Sequence, residues 1–260
     1  MRTIKKEQWL EIMDAFYQDV SFGTSSCREK MTISLSEKNV MNDLKLLQKN
    51  KFDANILYGP NTINQITIAR LAYGLLKYMK NNNLKKIVVG FDSRVLSSVF
   101  AKLVANIFLN EGFIVYLFNQ ESSTPELAFT VKKLNADMGV EITASHNDKR
   151  HNGFKLILKS GSPPNLDERN EMAEYILGNL SKSNTMKIFE DNELTNLKSQ
   201  NTNLLFLGET SNSKSGNNKL IEIHQRYLDQ IKNFVFQPHI LEKYASQIQI
   251  IYSYLSHKTK

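Results

Sequence analysis

A single cysteine in 260 residues excludes an internal disulfide framework and fits a reducing compartment. Proline is scarce too, with 5 in all, which leaves no room for proline-rich linkers or polyproline recognition segments. No stretch approaches the ~20 uninterrupted apolar residues of a membrane span, so no membrane partner is expected. The opening residues Met1-Arg2-Thr3-Ile4-Lys5-Lys6-Glu7 lead into an amphipathic segment, not an apolar signal core. A cytoplasmic location follows as the expectation. Aspartates never gather: they stand at 14, 19, 43, 53, 92, 137, 148, 167, 191 and 229, no two within two residues of each other. A compact carboxylate loop for a hard cation is therefore missing from the sequence.

What is present has the balance of an ordinary globular protein, 41% apolar and 23% charged. Lysine and arginine outnumber the acids 33 to 26, for a net charge of +7. The lysines are scattered and no nucleic-acid motif appears, so an anionic small molecule explains the sign and no nucleic-acid partner is expected.

Hydrophobic periodicity gives the organisation. Trp9, Ile12, Met13, Phe16 and Tyr17 share one face of a first helix. Residues 36–50 predict a second, and Thr62–Met79 a third with Ile63, Ile66, Ala69, Tyr73 and Leu76 as its stripe, closed by Asn81-Asn82-Asn83. Then strands at Ile87-Val88-Val89, Phe113–Phe118 and Asp137–Ile142 alternate with helices at Val95–Asn110 and Pro125–Leu134. Such alternation means right-handed crossovers and a largely parallel sheet covered by helices on both faces. Ligands gather at the carboxyl ends of strands in these sheets, where Asp92, Ser123 and Ser145 fall. Asp167–Leu177 predicts another helix. Residues 181–218, rich in Ser, Asn and Lys with one apolar run at Leu204–Leu207, read as a frayed end and linker. A helix at Leu220–Phe234 and a strand at Ile248–Tyr252 follow.

The segment Thr143-Ala144-Ser145-His146-Asn147, then Lys149, Arg150, His151 and Asn152-Gly153-Phe154-Lys155, concentrates chemistry between two strands. A serine amid that much positive charge is placed to carry a phosphoryl group, whose oxygens want cationic donors. Taken by itself, the same loop also reads as a solvated turn, Asn152-Gly153 being a common turn signal that would aim Lys155. Asp92 and Arg94 are expected to pair locally and cap the next helix. His224, His239 and His257 carry no signal.

Thr143 to Lys155 resembles the phosphoserine loop of the phosphoglucomutase and phosphomannomutase family, with Asp148 where that loop has proline. Phe22-Gly23-Thr24-Ser25-Ser26-Cys27-Arg28-Glu29 resembles the family's N-terminal F-G-T-S-G-x-R-G, two glycines having become Ser26 and Glu29. Gly59–Asn64 resembles its G-x-N-R-M-N, with Thr62 for arginine, and Gly90–Arg94 with Ser97-Ser98 its G-x-D-x-R-x-x-S. Ser123-Thr124-Pro125 matches its T-P.

The resemblance implies a three-layer α/β/α domain with a mixed, mostly parallel sheet over residues 1–212 and the incomplete beginning of a second α/β domain over 217–260. It implies phosphotransfer on a hexose phosphate through phosphoserine at Ser145, with Lys155 as acid/base and Arg28 and His146 beside them. Thr24, Ser25, Asn147 and Arg150 would bind substrate. Mg²⁺ would be held by Ser145 through its phosphate only, the aspartate ligands being absent, and a glucose 1,6-bisphosphate-type activator fits the chemistry. The chain alone is then expected to be incomplete, its partner the complementary part of a split mutase. The alternative is an inactive remnant that binds sugar phosphate or an intact mutase.

Overall fold

The computed structural model describes residues 6–23, 26–31, 42, 59–178, 202–208, 220–247 and 249. Its elements open with α1 (Lys6–Tyr17), β1 (Ser26–Lys30), α2 (Gln65–Asn81) and β2 (Lys86–Phe91). They continue with α3 (Ser97–Asn110), β3 (Ile114–Phe118), α4 (Thr124–Lys133), β4 (Met138–Ile142) and β5 (His151–Leu158). The rest are α5 (Leu166–Gly178), β6 (Leu204–Leu207), β7 (Leu220–Ile221), α6 (His224–Lys232) and α7 (Pro238–Tyr244). The strands form one sheet in the order β1-β5-β4-β2-β3-β6-β7. Strands β4, β2, β3, β6 and β7 run parallel, while β5 runs against both β4 and β1. The mixed, mostly parallel sheet and its helical layers are those the sequence predicts.

Strand alternation sends side chains to two cores. Ile87, Val89, Val115, Leu117, Val140, Ile142, Phe154 and Leu156 pack with Leu71 and Leu75 of α2, Phe100 and Phe108 of α3, and Ile176 of α5. Val88, Phe118 and Ile157 meet Leu127 and Val131 of α4 on the other side. Helix α2 starts where Asn64 Oδ1 accepts the N–H groups of Ile66 and Thr67, and Thr67 Oγ1 accepts that of Asn64. Such a cap contributes about 1 kcal/mol. The helix lies between α3 and α5, so its buried surface is wider than a stripe: Ile68, Leu71 and Leu75 are sealed while Ile66 is 45% exposed.

Four sequence expectations change. The helix at the start forms, yet its apolar face is outward, with Trp9, Met13, Phe16 and Tyr17 all exposed and Ala15 buried instead. Residues 204–207, read within a linker, form β6 beside β3 because their run of four apolar residues suits a covered strand. Leu220 and Ile221 do not open a helix: they pair with Phe206 and Leu207, and α6 begins only at His224. Asn152-Gly153 is no turn but the second and third residues of β5, opposite Glu29 and Arg28. The helix predicted over 36–50 and the strand predicted over 248–252 lie outside the described residues, Asn42 and Gln249 apart.

Candidate active site

The loops after β2 and β4 are joined by one buried arginine. The Arg94 side chain, 0% exposed, uses all of its donors. Nε donates to Asp92 Oδ2 at 3.1 Å, Nη1 to the carbonyls of Asp148 and His151 at 2.8 and 3.0 Å, and Nη2 to those of Ser145 and Asn147 at 2.6 and 2.7 Å. A planar five-donor fork suits such a cluster and a lysine does not. Asp92 in turn accepts the hydroxyls of Thr143 at 2.6 Å and Ser97 at 2.8 Å, and Ser97 Oγ accepts from Asn152 Nδ2 at 3.0 Å. The expected Asp92–Arg94 pair exists, but neither caps α3. Its N-cap is Leu96, at φ 66° and without a side-chain cap.

This knot fixes Ser145. Its carbonyl is held by Arg94 and its N–H donates to Thr143 Oγ1 at 2.8 Å, while its side chain is exposed. The residue sits at φ 56°, a left-handed conformation that costs a side-chain-bearing residue about 1–2 kcal/mol. Strain of this kind persists where surrounding contacts over-determine the backbone. His146 Nδ1 lies 3.4 Å from Ser145 Oγ.

Arg28 and Lys155 share the α4-facing side of the sheet. Ser26 pairs with Lys155 and Arg28 with Gly153, while the Thr143 N–H donates to the Gly153 carbonyl. Gly153 must be glycine here: an added Cβ would meet Cys27 O at 2.4 Å, Thr143 O at 2.6 Å and Arg28 Cγ at 3.1 Å. Arg28 Nε donates to Ser26 Oγ at 2.9 Å. Burial, then Arg28, lower the Lys155 ammonium below the usual lysine range, with Glu141 opposing. Asp148, at the proline position of the resembled motif, accepts from Arg150 Nη2 at 3.0 Å and lies 3.1 Å from His151 Nδ1. Partial burial alone would raise its carboxyl, but hydrogen bonds from Arg150 and His151 hold it well below the usual carboxylate range.

Ser145, His146, Asn147 and Arg150 thus lie in the β4–β5 loop, with Lys155 and Arg28 on the adjoining strands β5 and β1, and Thr24 and Ser25 lie outside the described residues. Sequence reasoning missed the reach of Arg94, whose signal was an arginine two residues after a strand-end aspartate. It also missed Glu141, the lone acid of Met138-Gly-Val-Glu-Ile, and His224, whose Nδ1 lies 2.9 Å from Glu126 Oε1. Among the described residues no group of three or more His, Cys, Asp or Glu side chains could hold a metal ion. The described donor set does not fit Mg²⁺ beyond what a phosphate on Ser145 would supply. No helix among them is long and apolar enough to cross a membrane.

The site is thus an exposed serine, pinned through its own backbone, at the basic rim of an α/β/α domain. Residues 48–183 match the family described as phosphoglucomutase/phosphomannomutase, alpha/beta/alpha domain I. The chain belongs to the phosphoglucomutase/phosphomannomutase family. It is 40% identical over 119 residues to a phosphoglucomutase of Staphylococcus aureus (strain MRSA252), covering 45% of this chain and 22% of that one. It is 38% identical over 159 residues to a phosphoglucomutase of Staphylococcus haemolyticus (strain JCSC1435), covering 54% and 29%. The fold is that of a putative phosphomannomutase from Thermus thermophilus, with TM-score 0.55 and 18% identity over 85% of this chain and 37% of that one. The chain thus spans less than a third of the length of those two phosphoglucomutases.

Proposed function

We propose that Ser145 is the phosphoryl carrier of a phosphoglucomutase/phosphomannomutase-type reaction on a hexose phosphate. The bond from phosphorus to Ser145 Oγ breaks as a bond to one hydroxyl oxygen of the hexose phosphate forms, and the other phosphate of the resulting bisphosphate then passes back to Ser145 Oγ as its own P–O bond to the sugar breaks. Lys155 Nζ takes the proton of the attacking hydroxyl and returns it to the leaving oxygen. Arg28 neutralises phosphate charge, and the His146 imidazole donates to a phosphate oxygen. Thr24, Ser25, Asn147 and Arg150 bind the substrate. Among the described residues a phosphate on Ser145 would be the one group to hold Mg²⁺, whose charge would add to this neutralisation. No cluster of three or more carboxylate ligands for such an ion occurs among the described residues, and β7 continues the same sheet past residue 217, so the phosphoserine-bearing domain reaches at least Ile221. The reaction is read as cytoplasmic, with a glucose 1,6-bisphosphate-type activator as phosphoryl source.

The observation that carries this reading is the left-handed, exposed Ser145 held at its own carbonyl by Arg94. Incubation of the full chain with glucose 1,6-bisphosphate should add one phosphoryl group by intact mass, and Ser145→Ala should abolish it. No uptake by the parent chain, or equal uptake by the variant, overturns the assignment.

One observation favours a non-catalytic reading. Asp148 engages Arg150 and His151, drawing the guanidinium and the imidazole away from an incoming phosphate. A chain that is protected by glucose 1-phosphate against thermal unfolding yet takes up no phosphoryl group would be a sugar-phosphate-binding remnant.

A further inference from the structure

The β4–β5 ladder places Glu141 directly opposite Lys155, on the side of the sheet that carries Arg28. Cβ atoms of opposed residues lie ~5 Å apart. Lys155 is half-buried, and Glu141 is 1% exposed. Among the described residues one Glu141 oxygen has only a long hydrogen bond from the Ser122 hydroxyl, at 3.4 Å, and Oε2 has no hydrogen-bond partner. The room for this carboxyl exists because β2 presents Gly90 opposite it, where a Cβ would stand 2.8 Å from Oε2. A buried carboxyl so poorly solvated resists carrying charge.

The charged groups facing this pair divide clearly. Asp92, from the end of β2, and Glu126 of α4 repel a charge on Glu141, and Glu126 is itself tied to His224 of α6. Lys155 attracts it, while Arg28 of β1 acts on Lys155 from the other side. Burial first, then Asp92, push the Glu141 carboxyl well above the usual range, against Ser122 and Lys155. Both groups are displaced toward each other's titration range, which is the condition for shared proton equilibria.

We propose that Glu141 is the positioning residue that sets how firmly Lys155 holds its proton, the two side chains titrating as one pair across the ladder. The inference rests on the reading of Lys155 as the group that moves a proton. Loss of a proton from Glu141 holds the neighbouring ammonium in place. Return of that proton releases Lys155 to act as a base toward a sugar hydroxyl.

The test reads Lys155 without turnover. Competitive acetylation of the full chain with acetic anhydride across a pH series, followed lysine by lysine by mass spectrometry, gives the Lys155 titration. Exposed Lys159 serves as internal reference. Glu141→Gln should lower the Lys155 midpoint by roughly one unit, raising its reactivity near about pH 8 several-fold relative to Lys159. Glu141→Met, apolar and of similar volume, should do the same if Gln fails to fold. An unchanged Lys155 profile in a folded variant overturns the proposal. Phosphoryl uptake at Ser145 is not read in this assay, so failure of the mutase reading and failure of the pair are seen separately.

Stability provides a second readout. The Glu141 carboxyl is raised on folding, so between its unfolded and folded values the native chain binds the extra proton. Stability therefore falls as pH rises through that window. Glu141→Gln should narrow the difference in thermal midpoint between about pH 5 and about pH 8. A parent chain equally stable at both would count against a raised carboxyl.

Discussion

Arg94→Ala should lower the stability of the chain by about 3–5 kcal/mol, the usual cost of removing one partner from a buried ion pair. The guanidinium is fully covered, so its loss leaves Asp92 and four carbonyls, those of Ser145, Asn147, Asp148 and His151, short of donors. Each unsatisfied buried group costs about 1–3 kcal/mol, although the loop would relax and admit water, so the costs do not add. Against a total stability of roughly 5–15 kcal/mol this is a large fraction. Phosphoryl uptake should fall about a hundredfold even where the chain still folds, because a small misplacement of Ser145 spoils its approach. Arg94→Lys keeps the charge but loses the fork, so it should rescue little of the uptake. Denaturant unfolding and intact-mass uptake measure the two effects. A variant within about 1 kcal/mol of the parent would show that the knot does not hold the loop.

Gly153→Ala should cost about 3 kcal/mol, the upper end of ordinary overpacking. Its new methyl would press on two backbone carbonyls, at 2.4 and 2.6 Å, and neither can swing aside as a side chain would. The strands β1 and β5 must then separate, carrying Arg28 away from the rim. Gly112→Ala is the control: φ is 77° but nothing lies within 4 Å of the added atom. That substitution should cost only about 1 kcal/mol, the penalty of a left-handed residue alone. Equal losses at the two positions would mean that crowding at Gly153 is relieved by backbone shifts.

The parallel heart of the sheet was legible because Ile87-Val88-Val89, Val115 to Phe118 and Met138 to Ile142 are short, largely apolar runs, Glu141 their one charge, separated by helical periods. Its antiparallel edge was not. Ser-Cys-Arg-Glu-Lys has almost no strand character, and Asn152-Gly153 writes the same dipeptide in a turn as in a strand crowded by its neighbours. Only the pairing of residues more than a hundred positions apart decides between them. Trp9 and Tyr17 show the converse: periodicity fixed the helix but could not say whether a surface lies beneath its apolar side. In the site, Ser145 and Lys155 followed from motif wording. The contacts of Arg94 with residues 51–57 positions away, and the burial of Glu141, arise from tertiary packing that no local window contains.

Cys27, the lone thiol, lies at 0% exposure on β1 opposite Phe154, and burial pushes that thiol up. It is therefore silent toward disulfide reagents while the edge strand stays docked. Every reaction of that sulfur with an aromatic disulfide dye would count one excursion in which the margin of the sheet peels open. The chain thus carries a native clock for local opening beside the rim that bears Ser145, readable by absorbance.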